Sequence, residues 1–296
     1  MKIYLKMEED TITNRYNIIR KLGQGSYGIV NLAVSKKTGS QVAIKIIPLT
    51  EQNQSNVIQE ISSLKLASIP NCNPYVVCYY DSFIDPSTFS VVLEMEHIDG
   101  PNIMEYTQPA RTTGNTKLLI DTSKKLLIAM LNGLKYIHTK GIIHNDVKPG
   151  NIVVGKNKVP VLVDLGISCV VQAAVTEICT KPYNSIIGNC CQEMSGTSLY
   201  IPPEIIYEIR YPESDLWSLG STVYEIMTGS NIWSLNTSQF TPINIMAQVI
   251  MKFNSKTLPN KLNTGDYQLD TVVNSFLTYD PTARMSIDEA LIVLKI

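Results

Sequence analysis

The feature that most limits how this chain folds is a glycine-spaced turn, Gly23-Gln24-Gly25-Ser26-Tyr27-Gly28, set between two apolar runs. Glycines at that spacing let backbone N–H groups approach phosphate oxygens closely, because no Cβ stands in the way. Two architectures use such a turn. In a dinucleotide-binding fold the third glycine opens a helix. Here the strand-like pattern continues through Ile29 and Val30, so a β-hairpin follows and the dinucleotide arrangement is set aside. The next motif, Val42-Ala43-Ile44-Lys45, places a lysine 17 residues beyond Gly28 in an otherwise apolar strand. An unpaired ammonium there would be costly, so it needs a carboxylate. Glu60 is the natural partner, on a segment whose Val57, Ile61 and Leu64 recur at roughly helical spacing.

Around these motifs the chain divides in two. Strands are expected at Tyr16–Leu22, Gly28–Ser35, Gln41–Ile47, Val76–Phe83 and Phe89–Met95, with one helix at Asn53–Ala67. After Asp99 the character is helical: a long amphipathic helix at Lys117–His138, then Ser214–Thr228, Ile243–Phe253, Leu269–Thr278 and Ile287–Leu294. The polar stretch Thr107–Thr116 reads as an exposed loop before the long helix. A small strand-rich lobe joined to a larger helical one is a two-lobed α+β fold, and its crevice is the default ligand site.

Two further motifs lie in the helical part. His144-Asn145-Asp146-Val147-Lys148-Pro149-Gly150-Asn151 precedes a short strand, and Val163-Asp164-Leu165-Gly166 follows with its acid 18 residues after Asp146. A polar turn explains Asn, Pro and Gly, but not Asp, Lys and Asn at this spacing followed by a second acidic motif.

Taken together, the glycine turn, Val-Ala-Ile-Lys45, Glu60, the His144–Asn151 loop and Asp164-Leu-Gly resemble the eukaryotic-type protein kinase family, from about Tyr16 to Arg284. The resemblance implies an enzyme using ATP with Mg²⁺ (Mn²⁺ as an alternative) to phosphorylate serine or threonine of protein substrates. It implies Asp146 as the group orienting the substrate hydroxyl and taking its proton, Lys148 as charge compensation, and Asn151 and Asp164 as metal ligands. The ATP site it implies comprises Leu22, Gly23, Gln24, Gly25, Ser26, Tyr27, Gly28, Val30, Ala43, Lys45, Glu60, Leu93, Glu94, Glu96 and Val153. In that set Val30, Ala43 and Val153 sandwich the adenine. Leu93 guards the back of the pocket, and the backbone of Glu94 and Glu96 meets the base edge. The corresponding division is an extension at 1–15, a small lobe at about 16–95, a hinge at 94–98 and a large lobe from about 99 to 296.

The same resemblance makes His144 structural, stacked with Leu165, Leu64 and Tyr79. It makes Glu204 of Ile-Pro-Pro-Glu the partner of Arg284, and Asp215 a cap for the catalytic-loop amides. Lys148 with Thr197 before Tyr200 is the serine/threonine pattern, and Gly150 gives no case for an arginine-directed consensus. Asn145 stands where many relatives carry an arginine that clamps a phosphorylated loop, which implies activity without such phosphorylation. Two other readings compete: a nucleotide-binding pseudokinase scaffold, and a small-molecule phosphotransferase. The first usually lacks the lysine or an essential Asp, all of which stand here, and the Pro-Pro-Glu segment disfavours the second.

Bulk properties agree with this assignment. A formal net charge of -1 gives no sign of nucleic acid or an anionic membrane as a bulk partner, and neither is expected. No run of about 18 apolar residues exists, and the start lacks a signal-peptide pattern, so a monomer in the cytoplasm or nucleus is expected. Abundant Asn, Ile and Lys fit an AT-rich coding sequence such as a parasite's or a large DNA virus's, and a viral protein would act in the host cytoplasm. The cysteines Cys72, Cys78, Cys169, Cys179, Cys190 and Cys191 form no CxxC pair and read as reduced thiols.

Overall fold

The glycine turn does close a hairpin. In the computed structural model, which describes residues 10–25, 28–170 and 196–295, β1 (Tyr16–Gln24) pairs antiparallel with β2 (Ile29–Ser35). The loop between them is cinched by the Gly25 N–H donating to the Gly28 carbonyl at 3.0 Å. With β3 (Gln41–Pro48), β4 (Tyr79–Asp85) and β5 (Ser90–Glu96) they form one antiparallel sheet in the order β1-β2-β3-β5-β4. Period-two alternation gives the sheet two apolar faces. Val42, Ile44 and Val92 face outward, covered by Tyr16 and by Ile12 of a single-turn helix, α1 (Ile12–Arg15). Ile47, Leu93 and Met95 face inward and join the large core, together with Val57 and Leu64 of α2 (Gln54–Ser68).

The second lobe is built on two buried helices. In α4 (Thr116–Thr139) Leu126, Leu127, Met130, Leu131, Leu134 and Ile137 are wholly buried. In α5 (Pro212–Thr228) every residue from Ser214 to Tyr224 is buried, the mark of a helix packed on all sides. It stops at Gly229, whose φ of 71° is the left-handed conformation that ends helices. Around this pair pack α6 (Pro242–Asn254), α7 (Tyr267–Phe276) and α8 (Ile287–Lys295). Two short two-stranded sheets, β6 (Ile142–Ile143) with β9 (Cys169–Val170) and β7 (Ile152–Val154) with β8 (Pro160–Leu162), hold the loops that face the crevice. Among the described residues no helix is long and apolar enough to cross a membrane.

Two expectations are corrected. The stretch 107–116 is not simply an exposed loop: α3 (Ile103–Thr112) runs through most of it. A reciprocal cap starts it, with Asn102 Oδ1 accepting from the Glu105 N–H and Glu105 accepting from the Asn102 N–H. Ile103, Thr107 and Ala110 then bury one face at i, i+4 and i+7, which outweighs the donor lost at Pro109. Second, Cys72 and Cys78 are not reduced thiols. The turn between α2 and β4 brings their Cα atoms to 5.4 Å, and they form a disulfide. Cys169, on β9, is buried. Cys179, Cys190 and Cys191 lie outside the described residues.

Candidate active site

Lys45 emerges from the centre of the sheet at 4 % exposure, with its ammonium 2.6 Å from Glu60 Oε1 on α2 and 2.9 Å from Asp164 Oδ1. The triad thus ties the sheet, α2 and the second lobe to one point. Burial works to lower the Lys45 pKa, but Glu60 and Asp164 outweigh it and hold the ammonium above its ordinary value. Burial pushes Glu60 up against the pull of the lysine. Burial also acts to raise Asp164, yet Lys45 and then His144 and the Gly166 N–H keep it below the usual carboxylate range. Gly166 is tightly surrounded: a Cβ there would stand 3.0 Å from Asp164 Oδ1 and 3.1 Å from Lys45 Nζ, so those side chains would have to shift by a few tenths of an ångström.

The other cluster surrounds Asp146. Its Oδ1 accepts from the Thr197 hydroxyl at 2.8 Å and the Thr197 N–H at 3.2 Å. Its Oδ2 accepts from Lys148 Nζ at 2.7 Å and Asn151 Nδ2 at 2.9 Å. Lys148 Nζ also donates to Thr197 Oγ1 at 2.7 Å, which closes a ring of three side chains. Four donors fix the carboxylate's orientation.

Beneath the loop lies Asp215, fully buried on α5, which accepts the N–H groups of His144 and Asn145, each at 2.9 Å, and a contact from His138 Nε2 at 2.8 Å. Burial acts to raise its pKa, but His138 and the other donors hold it below the ordinary value. His144 is equally committed. Its Nδ1 accepts the Asp146 N–H and its Nε2 donates to the Val163 carbonyl, both at 3.2 Å, so no ring nitrogen is left for acid–base work. Leu64 and Leu165 are wholly buried and Tyr79 packs against the same core. Asn145 and Asp164 sit at positive φ, 65° and 64°, a region that Asn and Asp tolerate better than most side chains. The Asn145 amide donates to the Ile167 carbonyl at 3.2 Å, joining the Asp146 loop to the Asp164 loop.

At the end of β5 the backbone groups of Glu94 and the N–H of Glu96, two of the expected base contacts, are already engaged. Glu94 is flanked by Ile44 of β3 and Asp81 of β4, so its backbone groups lie inside the sheet. Its side chain points to the outer face and accepts from the Tyr16 hydroxyl at 2.5 Å. The Glu96 N–H donates to the Cys78 carbonyl at 2.8 Å and is not available to a base. Leu93 is wholly buried opposite Lys45, whereas Met95 stands opposite Ala43 on the same face, nearer the strand's end. The first residues beyond the sheet are His97 and Ile98, and neither makes a backbone–backbone hydrogen bond among the described residues. The expected hinge at 94–98 spans Met95, His97 and Ile98 without singling them out, although the inward alternation of Leu93 and Met95 points to the first.

Of the remaining expected residues, Val30 and Val153 are half-buried, Ala43 is buried, and Gln24 and Gly25 are exposed at the hairpin's end. Leu22 is 37 % exposed. Ser26 and Tyr27 lie outside the described residues. Gly28 is held by close contact, since a Cβ would fall 2.4 Å from the Ile46 carbonyl oxygen.

Two oxygens fit a hard divalent cation. Among the described residues, the Asn151 amide spends its nitrogen on Asp146 and leaves Oδ1 open, and Asp164 spends Oδ1 on Lys45 and the Gly166 N–H and leaves Oδ2 open. Among the described residues there is no ready cluster of three His, Cys, Asp or Glu side chains for a metal. The donor set therefore suits an ion that keeps water or phosphate oxygens, as Mg²⁺ does. A model of the protein kinase domain matches residues 16–293, and the chain belongs to the protein kinase family.

Proposed function

We propose that the protein is an active kinase that transfers the γ-phosphate of ATP to serine and threonine hydroxyls of protein substrates. The observation that carries this reading is the ring of Asp146, Lys148 and Thr197. An aliphatic hydroxyl already sits 2.8 Å from Asp146 Oδ1, so this carboxylate accepts a hydroxyl of the same kind as a seryl or threonyl substrate. Asp146 orients that hydroxyl and receives its proton, and Lys148 supplies a positive charge on the adjacent oxygen. Lys45, held by Glu60, would position the α- and β-phosphates, with the glycine turn contributing backbone N–H donors to them. Asn151 and Asp164 would hold Mg²⁺ through the side-chain oxygens left without a described donor. Bound ATP with Mg²⁺ supplies the transferable phosphoryl group with its charge partly neutralised.

For the base, Val30 and Ala43 from above and Val153 from below make the sandwich. The hinge contact moves from Glu94 to the Glu96 carbonyl and the backbone of Ile98, and Met95 takes the guarding position assigned to Leu93. Asn145 supplies no cation for a phosphorylated loop, and its amide already links the two catalytic loops. Activity is therefore independent of loop phosphorylation. The test is phosphoamino-acid analysis of protein substrates before and after phosphatase treatment of the enzyme. Phosphoserine and phosphothreonine at an unchanged rate are expected. Phosphotyrosine alone, or loss of activity after phosphatase, would overturn the class or the independence respectively.

A further inference from the structure

The disulfide lies where the two lobes are stitched together. Between Cys72 and Cys78 the chain crosses from α2 to β4, and three of its backbone hydrogen bonds reach other elements, while Tyr75 and Val76 also bond back to Asn73 within the turn. The Cys78 carbonyl accepts the Glu96 N–H at 2.8 Å, at the point where β5 leaves the sheet. The Val77 N–H donates to the Leu162 carbonyl and the Leu162 N–H to the Tyr75 carbonyl, both at 2.9 Å, two residues before Asp164. The Asn71 carbonyl accepts from the Tyr136 hydroxyl at 2.7 Å on α4. The two residues differ sharply in exposure: Cys72 is exposed and Cys78 is 7 % exposed. Exposed disulfides are the labile ones, because a thiolate needs an open path to the sulfur it attacks.

We propose that Cys72–Cys78 is a thiol-exchange site, modified at Cys72 by small thiols of the glutathione class and coupled to the hinge through the Cys78 carbonyl. A glutathione thiolate attacks Cys72 Sγ. A sulfur–sulfur bond forms between them, the Cys72–Cys78 bond breaks, and Cys78 leaves as a thiolate that takes a proton from water. The Tyr79 carbonyl oxygen, 3.7 Å from Cys78 Sγ, is placed to accept from the new thiol. A second thiolate then attacks the glutathione sulfur on Cys72. Cys72 is released as a thiol, and the two glutathiones leave as their disulfide with the two electrons balanced. Oxidised glutathione runs the sequence backward. With the bond closed, the turn holds the Cys78 carbonyl against Glu96. With it open, that one anchor of the hinge strand loosens while the bonds to Leu162 persist.

The exchange needs no nucleotide, so its test stands apart from the kinase reading; only the consequence for ATP rests on that reading. The intact protein is equilibrated in glutathione buffers from fully oxidised to fully reduced, quenched in acid, alkylated and mapped by mass spectrometry. Amide hydrogen exchange of residues 93–98 is followed in parallel. A glutathione adduct on Cys72 and not on Cys78 is expected at intermediate ratios. The Glu96 amide should exchange about fivefold faster in the reduced protein, the fold-change that matches losing one net hydrogen bond. The exposed-site variant Cys72→Ser should show the fast rate at every ratio. Thiols alkylated at both positions in all buffers, an adduct on Cys78 instead, or a Glu96 amide indifferent to the redox ratio would each overturn the proposal.

Discussion

Replacing Arg284 by alanine is the perturbation whose cost the geometry fixes best. The guanidinium is wholly buried, with Nη1 and Nη2 each 2.7 Å from one oxygen of Glu204. Nη1 also donates to the Glu213 carbonyl and Nε to the Thr278 carbonyl, each at 2.9 Å. Removing it leaves Glu204, 5 % exposed, with only the Ser214 hydroxyl as a described side-chain donor. Breaking a buried pair from one side typically costs about 3–5 kcal/mol. Replacing both partners by methionine removes the orphaned charge and should cost less than Arg284→Ala alone. Urea unfolding followed by tryptophan fluorescence reads this directly. The chain's two tryptophans, Trp217 and Trp233, both lie in the helical lobe, and Trp217 carries the guanidinium 5.3 Å above its ring. The midpoint should fall with little change in slope. A loss below about 1 kcal/mol, as for a surface pair, would refute the buried lock, and so would a double variant that costs the sum of the singles.

Two other outcomes follow from single positions. Gly28→Ala drives a Cβ into the Ile46 backbone carbonyl, whereas at Gly25 a Cβ meets nothing within 4 Å. Thermal unfolding should show the first losing about 1–3 kcal/mol, the second changing little, and equal effects would contradict the close approach. Asp215 has its folded-state pKa held below the ordinary value, so the stability it contributes is present above the carboxylate range and disappears as pH falls through it. The stability gap between wild type and Asp215→Asn should therefore shrink on acidification, and a gap constant with pH would show that the charge is not what the two loop amides use.

How much of this was legible in the sequence depended on whether a position's meaning is local. Lys45 was readable because a lysine inside Val-Ala-Ile needs a carboxylate whatever else the chain does, and Glu60 on the next helix meets it. The partnership of Glu204 and Arg284, 80 residues apart, came from family resemblance alone, since no local pattern reports it. The helix at Ile103–Thr112 was hidden by its polar letters and Pro109, although the Asn102–Glu105 cap was there to be read. That Glu94 pairs on both sides and that the Glu96 N–H is already engaged was not legible, because the end of β5 is set by where β4 and the Cys78 carbonyl stop pairing with it, a tertiary fact. The disulfide was missed for the same reason: six residues of separation say nothing until the turn brings the Cα atoms together. The clamp from Asn145 to Ile167 carries no sequence signal that we can identify.

The central claim is that the two charged clusters facing the crevice carry out phosphoryl transfer and are not the remnant of a scaffold. Transfer of labelled γ-phosphate from ATP to protein, in Mg²⁺, by the wild-type chain beside Asp164→Asn tests it most directly. The account predicts labelled seryl and threonyl residues with the wild type and none above background with the variant, while both remain folded. No transfer by either protein would leave a nucleotide-binding scaffold, and equal transfer by both would remove Asp164 from the chemistry.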